Sequence, residues 1–345
     1  MPGIGQTGPR HHWTPRRAGS YLAYGGSASA LHGGHGIGHG GNTRRLGHFP
    51  MTPTLVRQHS SHAQATPHVD PRARARDWSE IQERMLVPLY EAVYERLDVG
   101  GDTRMLGLNC GSGLALLMAA SRGAAVTGVD SRSPELLDLA RRRLLSGTSG
   151  DPGADSTVST RTRGDAPRIV QGTPGDAADP TAPAFTLVTA FEPGGCRAGD
   201  SETLGDLLAR ATPLAARGAA VVLAGWGPPE RCATTSVLRV AAKLTDPTRG
   251  TGGWRPALRD DLEEVAQRAG LRPDGSGRVA CPFGYADTGS AVRGLLSTGM
   301  FDAAVAATDR DQVDKELTEA LHPYQRPDGT VWMPNVFRYL IARVR

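Results

Sequence analysis

The chain has 345 residues, room for one large domain or two ordinary ones, with 39% hydrophobic residues to build a core and 44 Gly and 25 Pro that point to long stretches without regular structure. Its formal charge of +4 is uneven: residues 1–75 hold eight Arg and one acid, Asp70, so residues 76–345 carry −3 and lend no support to a basic nucleic-acid-binding face. Cys110, Cys196, Cys232 and Cys281 are scattered with no CxxC, which argues against a zinc site or a disulfide framework and for a reducing cytoplasm. No apolar run approaches the roughly 20 residues that span a bilayer, and the start lacks a secretory pattern, so no membrane partner is expected.

Residues 1–75 show neither helical nor strand period, and nine of the ten His lie there, as in "LHGGHGIGHGG". No Cys or acid completes a metal site, so the stretch reads as a disordered leader, and Met51 is a possible alternative start. From Asp77 the character changes. Ile81, Met85, Leu86, Leu89, Val93 and Leu97 recur at helical spacing, with Pro88 expected to kink or divide the helix. A short buried strand follows at Met105–Leu108, then a glycine loop, a helix at Leu114–Ser121 and a strand at Ala125–Val129. The next helix, Ser133–Leu145, has Ser133 as its N-cap and Pro134 in its first turn.

Residues 146–167 are low in complexity and read as a flexible loop. Further strands are expected at Arg168–Gln171, Phe185–Ala190, Ala219–Gly225, Arg278–Phe283 and Val336–Arg343, and helices near Leu204–Ala211, Glu230–Leu244 and Arg259–Ala269. This alternation implies right-handed crossovers and a mainly parallel sheet, with ligands at the carboxyl ends of its strands. Residues 286–334 interrupt the pattern with helical stretches at Ser290–Ser297 and Gln312–Leu321 and are a possible lid over that end.

The loop "LGLNCGSG" brings Gly111 and Gly113 between a strand and a helix, where backbone N–H groups can meet a ligand. "TGVD" ends the next strand at Asp130, placed to accept hydrogen bonds from two ribose hydroxyls. The dinucleotide fingerprint wants a third glycine where this chain has Leu116, which disfavours a nicotinamide cofactor.

The run "RMLGLNCGSGLALLMAASRGAAVTGVDSRSPELLDLARRRL" resembles the first half of a class I S-adenosylmethionine-dependent methyltransferase of the bacterial small-molecule type. "LARATPLAARGAAVVLAGWGPPE" and "YQRPDGTVWMPNVFRYLIAR" resemble later parts of that family, so the likeness covers residues 76–345. It implies a Rossmann-like α/β fold: a mainly parallel seven-stranded sheet flanked by helices, an antiparallel last strand and a helical insertion before it. It further implies S-adenosylmethionine as cofactor. Cys110, Gly111, Ser112 and Gly113 would approach its methionine part, Asp130 its ribose, and Ser131 would lie near the adenine. Gly172 and Thr173 would approach the adenine edge, and Ala190 and Phe191 the methionine end.

Several positions depart from the family. Gly107 stands where an acid is common and Asn109 where a glycine is, although Asn tolerates a left-handed backbone. Pro174 offers no N–H, and Thr186 replaces a frequent Asp; Glu192 is a possible replacement acid. In-line methyl transfer needs a base only when the acceptor must lose a proton; His322 and Glu192 are the candidates for that role. Trp226, Tyr285 and Tyr324 are candidates to line a pocket for a small-molecule acceptor. The alternative reading is a methyltransferase-fold protein with a degenerate cofactor site and a binding or regulatory role. Nucleic-acid binding through the Arg-rich leader is a weaker third.

Overall fold

The computed structural model describes residues 70–146, 166–194, 199–245 and 260–345. The expected disordered leader up to Val69, most of the 146–167 loop, and Cys196 lie outside the described residues. The first helix, α1 (Pro71–Asp77), begins earlier than the expected boundary at residue 76. Asp70 caps it by accepting from the Arg72 N–H at 2.9 Å, and Pro71 fits its first turn.

A π turn (Trp78–Gln82) and a 3₁₀ turn (Glu83–Leu86) carry the chain from α1 into α2 (Val87–Arg96). Pro88 explains the division, because it has no N–H for the Arg84 carbonyl; the Val87 N–H takes that carbonyl instead, closing a tighter turn.

Then follow β1 (Arg104–Leu108), α3 (Leu114–Ser121), β2 (Ala125–Asp130), α4 (Pro134–Ser146), β3 (Arg168–Gln171), β4 (Phe185–Gly194), α5 (Asp200–Ala211), β5 (Ala215–Trp226), α6 (Thr234–Leu244), α7 (Asp261–Arg268) and β6 (Arg272–Ala280). The insertion comprises β7 (Phe283–Tyr285), α8 (Thr288–Ser297), α9 (Asp302–Ala307), α10 (Arg310–Leu321) and β8 (Val331–Met333), with β7 pairing β8 in a separate two-stranded sheet. The last strand is β9 (Val336–Arg343).

The main sheet has the order β3-β2-β1-β4-β5-β9-β6. Strands β3, β2, β1, β4 and β5 pair in parallel, and β9 runs antiparallel to both of its neighbours. The expected seven-stranded arrangement, antiparallel last strand and helical insertion are all present.

Alternate residues of the central strands enter opposite cores. Met105, Leu187 and Val222 join the face covered by α2, α3, α6 and the insertion, whereas Leu106, Val188 and Leu223 join the face covered by α5 and α7. The strand β6 starts six residues before the expected Arg278, in "RPDGSG", a stretch that reads as a turn. An edge position makes this possible: Pro273 needs no ladder partner on its free side, the register shifts between Pro273 and Gly275, and most of the strand is exposed.

Candidate functional site

Over the carboxyl ends of β1, β2 and β4 lies a cleft of about 520 Å³, a size within the range of small-molecule sites. Its floor is the loop after β1. Asn109, Gly111 and Gly113 all have positive φ (48°, 55° and 78°), which two glycines and an Asn adopt at little cost. The loop therefore turns tightly enough to begin α3 at Leu114, and the expected tolerance of Asn109 for a left-handed backbone is observed.

The missing third glycine has a steric counterpart in the sheet. Leu116 is buried, and a Cβ built on Gly128 of β2 would come within 2.4 Å of its Cδ1, and one on Gly107 of β1 within 2.9 Å of its Cδ2. The space for close helix–strand packing is thus supplied by glycines on the strands. Gly107, which cannot serve as an acid, has a packing role.

At the end of β2 the buried Asp130 carboxylate accepts from the Gly111 N–H at 3.3 Å and from the Arg132 N–H at 2.9 Å. The Arg132 guanidinium adds Nε at 3.2 Å and Nη2 at 3.1 Å, and reaches Glu192 at 2.5 Å, while Asn109 Nδ2 donates to the same Glu192 carboxylate at 3.3 Å. Burial costs the Arg132 charge some of its preference, but Glu192 and Asp130 outweigh that cost and hold the guanidinium protonated.

A second buried carboxylate, unforeseen from the sequence, enters from the 3₁₀ turn before α2. Glu83 is buried; Oε2 accepts from the Ser112 hydroxyl and from Arg143 of α4 (2.8 Å), and Oε1 accepts from the Leu114 N–H at 3.3 Å. Arg143 also donates to the Ser112 carbonyl (3.0 Å) and to Ser79 Oγ (2.7 Å). Glu83 thus caps α3 from outside and ties the leading helical segment to the glycine loop. Burial raises its pKa above the ordinary glutamate value, against the pull of Ser112 and Arg143. No local motif announces this residue, because its partners lie roughly 30 to 60 positions away.

The inner wall is aromatic. The Phe191 ring lies 4.9 Å from that of Tyr90 and 5.8 Å from that of Tyr94, centroid to centroid. Burial, then the nearby Glu83 charge, pushes the Tyr90 phenol well above its usual range, so it stays protonated as a hydrogen-bond donor. Burial likewise pushes the Cys110 thiol up to about 12, which makes it a poor nucleophile. The outer wall joins α1 to the insertion: Arg74 donates to Asp302 (3.0 Å) and to the Ser297 carbonyl (3.4 Å).

Of the residues singled out in the sequence, Cys110, Gly111, Asp130, Phe191 and Glu192 line the cleft. Ser112, Gly113 and Ala190 do not: Ser112 and Ala190 are buried behind it, and Gly113 packs against Ala140 of α4. Ser131 is exposed outside it, whereas Ser133 lines it. Gly172 and Thr173 are also outside the lining, and the Thr173 N–H is already bonded to Asp176 at 2.7 Å.

The other four residues do not line this cleft. His322 is exposed on the turn after α10, outside the cleft lining. Trp226 is wedged against Phe337 (4.6 Å) and Phe283 (6.0 Å). Tyr285 is buried and donates its hydroxyl to Gln82 at 3.0 Å, and Tyr324 bonds Ser236 at 2.9 Å on α6. Each of these aromatic rings found a packing partner elsewhere, which residue type alone does not reveal.

No protein-family model matches the chain, and no curated protein does. Among solved structures it is similar to a methyltransferase of Geobacter sulfurreducens bound to S-adenosylhomocysteine (16% identity, 79% of this chain and 98% of that one, TM-score 0.44). It is also similar to geranyl diphosphate C-methyltransferase of Streptomyces coelicolor (15% identity, 76% and 80%, TM-score 0.42). The fold assignment rests on strand order and direction: a seven-stranded sheet ordered β3-β2-β1-β4-β5-β9-β6, with β9 alone reversed, is the class I methyltransferase fold.

Proposed function

We propose that this protein is an S-adenosylmethionine-dependent methyltransferase acting on a small organic acceptor. The observation that carries the reading is the juxtaposition, inside one cleft, of the Asp130 carboxylate and the Gly111 backbone at the ends of adjacent parallel strands. The residues present fit the cofactor. The cleft lining holds five carboxylates (Glu83, Asp130, Glu135, Glu192, Asp302) against two guanidinium groups (Arg74, Arg132), a balance that favours a cationic ligand.

S-adenosylmethionine supplies an activated methyl on a sulfonium whose departure leaves a neutral thioether. The chain's own task is then to hold the two reactants in line and dry. Tyr90 and Phe191 provide the apolar inner wall, and Arg74 with Asp302 closes the outer side. Glu192, at the mouth between Asn109 and Arg132, is the remaining candidate to take a proton from an acceptor.

A second reading, a methyltransferase fold with a binding or regulatory role, is favoured by one feature: Arg132 already occupies Asp130, so a ribose diol must displace it. Calorimetric titration with S-adenosylmethionine and S-adenosylhomocysteine separates the two. Micromolar binding is expected, lost in Asp130→Ala. In Arg132→Ala it should tighten a few-fold, in keeping with the roughly 0.2–1 kcal/mol of a solvent-accessible ion pair. A folded sample that binds neither ligand at millimolar concentration sinks the enzyme reading and leaves the second.

A further inference from the structure

Two polar groups flank the same face of Gly111. A Cβ built on this glycine would lie 3.4 Å from Trp78 Nε1 and 3.8 Å from Glu83 Oε1. The indole N–H is buried and has no hydrogen-bond partner among the described residues, although buried donors are nearly always satisfied. Among the described residues Glu83 Oε1 accepts only the long bond from Leu114, and a carboxylate oxygen has room for a second donor. An unpaired donor and an underused anionic acceptor therefore stand side by side across a position where the chain has no side chain.

That pairing is complementary to a zwitterion, whose carboxylate would accept from the indole and whose ammonium would donate to the glutamate. The same carboxylate stands at the start of α3, where a ligand phosphate would otherwise meet backbone N–H groups and Arg143. We propose that Trp78 and Glu83 form an amino-acid cradle over Gly111, so that the cleft recognises its cofactor by the α-amino-acid arm. The cradle rests on the methyltransferase reading and adds which residues choose the ligand.

The test compares S-adenosylhomocysteine, which has the amino-acid arm, with 5′-methylthioadenosine, which lacks it. Calorimetry is run on the full chain, on Glu83→Gln and on Trp78→Phe. In the wild type the first ligand should bind at least about tenfold more tightly. Each substitution should lower its affinity about tenfold and leave 5′-methylthioadenosine unchanged. The selective loss matters, because a merely structural role would weaken both ligands alike, and that result overturns the cradle.

Equal wild-type affinity for the two ligands also overturns it while leaving the cofactor reading intact, and requires neither variant to fold. No binding of either ligand to the wild type removes the methyltransferase reading and the cradle with it. Trp78→Phe keeps an aromatic side chain while removing the N–H, so it serves should Glu83→Gln unfold.

Discussion

Leu116 of α3 is buried against the adjacent strand positions Gly107 and Gly128, and neither has space for a methyl group. The geometry makes Gly128 the tighter of the two, since an added Cβ would also meet Cys110 Sγ at 2.8 Å and Ile169 Cδ1 at 3.0 Å. Gly128→Ala is therefore expected to destabilise by about 1–3 kcal/mol through overpacking. Adding Leu116→Ala should recover part of that loss, because the two sites share one volume. Denaturant unfolding of both singles and the double checks this; strictly additive effects would show that Leu116 is not what fills the space.

Among the elements, the leading helical segment brings Arg74, Trp78, Glu83 and Tyr90 to the cleft. It approaches α8 closely: a Cβ on Gly294 would lie 2.9 Å from Ile81, 3.0 Å from Tyr285 and 3.1 Å from Gln82. It approaches the glycine loop through Glu83, and Arg143 of α4 bridges Glu83 and Ser79. The α8–α9 turn meets α1 at Gly299, whose φ of +74° and position beside Arg74 Nη2 both disfavour a side chain. Gly299→Ala should cost about 1 kcal/mol from the left-handed backbone, which for a domain of this size is roughly 2–4 °C in Tm. A variant that melts with the wild type would mean the turn relaxes freely and does not hold the outer wall.

For the whole molecule, the buried Glu83 couples stability to pH. Its folded pKa is raised above 4.5, with burial the largest cause. The groups that face it are Arg143 of α4, Tyr90 of α2 and Cys110 of the loop. A raised carboxyl pKa means the folded state binds the proton more tightly, so this contribution is complete below 4.5 and is lost as pH rises through the raised value. Glu83→Gln has no such proton to lose. Its Tm relative to wild type should therefore improve as the buffer is taken from acid toward neutrality, and a constant difference across that range would show that Glu83 ionises as it does in water. No helix among the described residues is long and apolar enough to cross a membrane.

Local sequence determined the alternation of elements. β3 and β9 fall at the expected residues, and Ser133 caps α4 by accepting from the Leu136 N–H at 3.3 Å, because strand period, caps and proline act over a few positions. It also determined the loop that carries Gly111 and the strand that ends at Asp130, since both follow from backbone requirements visible in neighbouring residues. Only the tertiary structure decided what stands around them. Glu83 and Trp78 reach the loop from about 30 residues upstream, Arg132 turns onto Asp130, and the candidate aromatics Trp226, Tyr285 and Tyr324 pack elsewhere. Those placements depend on how distant helices pack on the sheet, and their side-chain partners carry no fixed spacing along the chain.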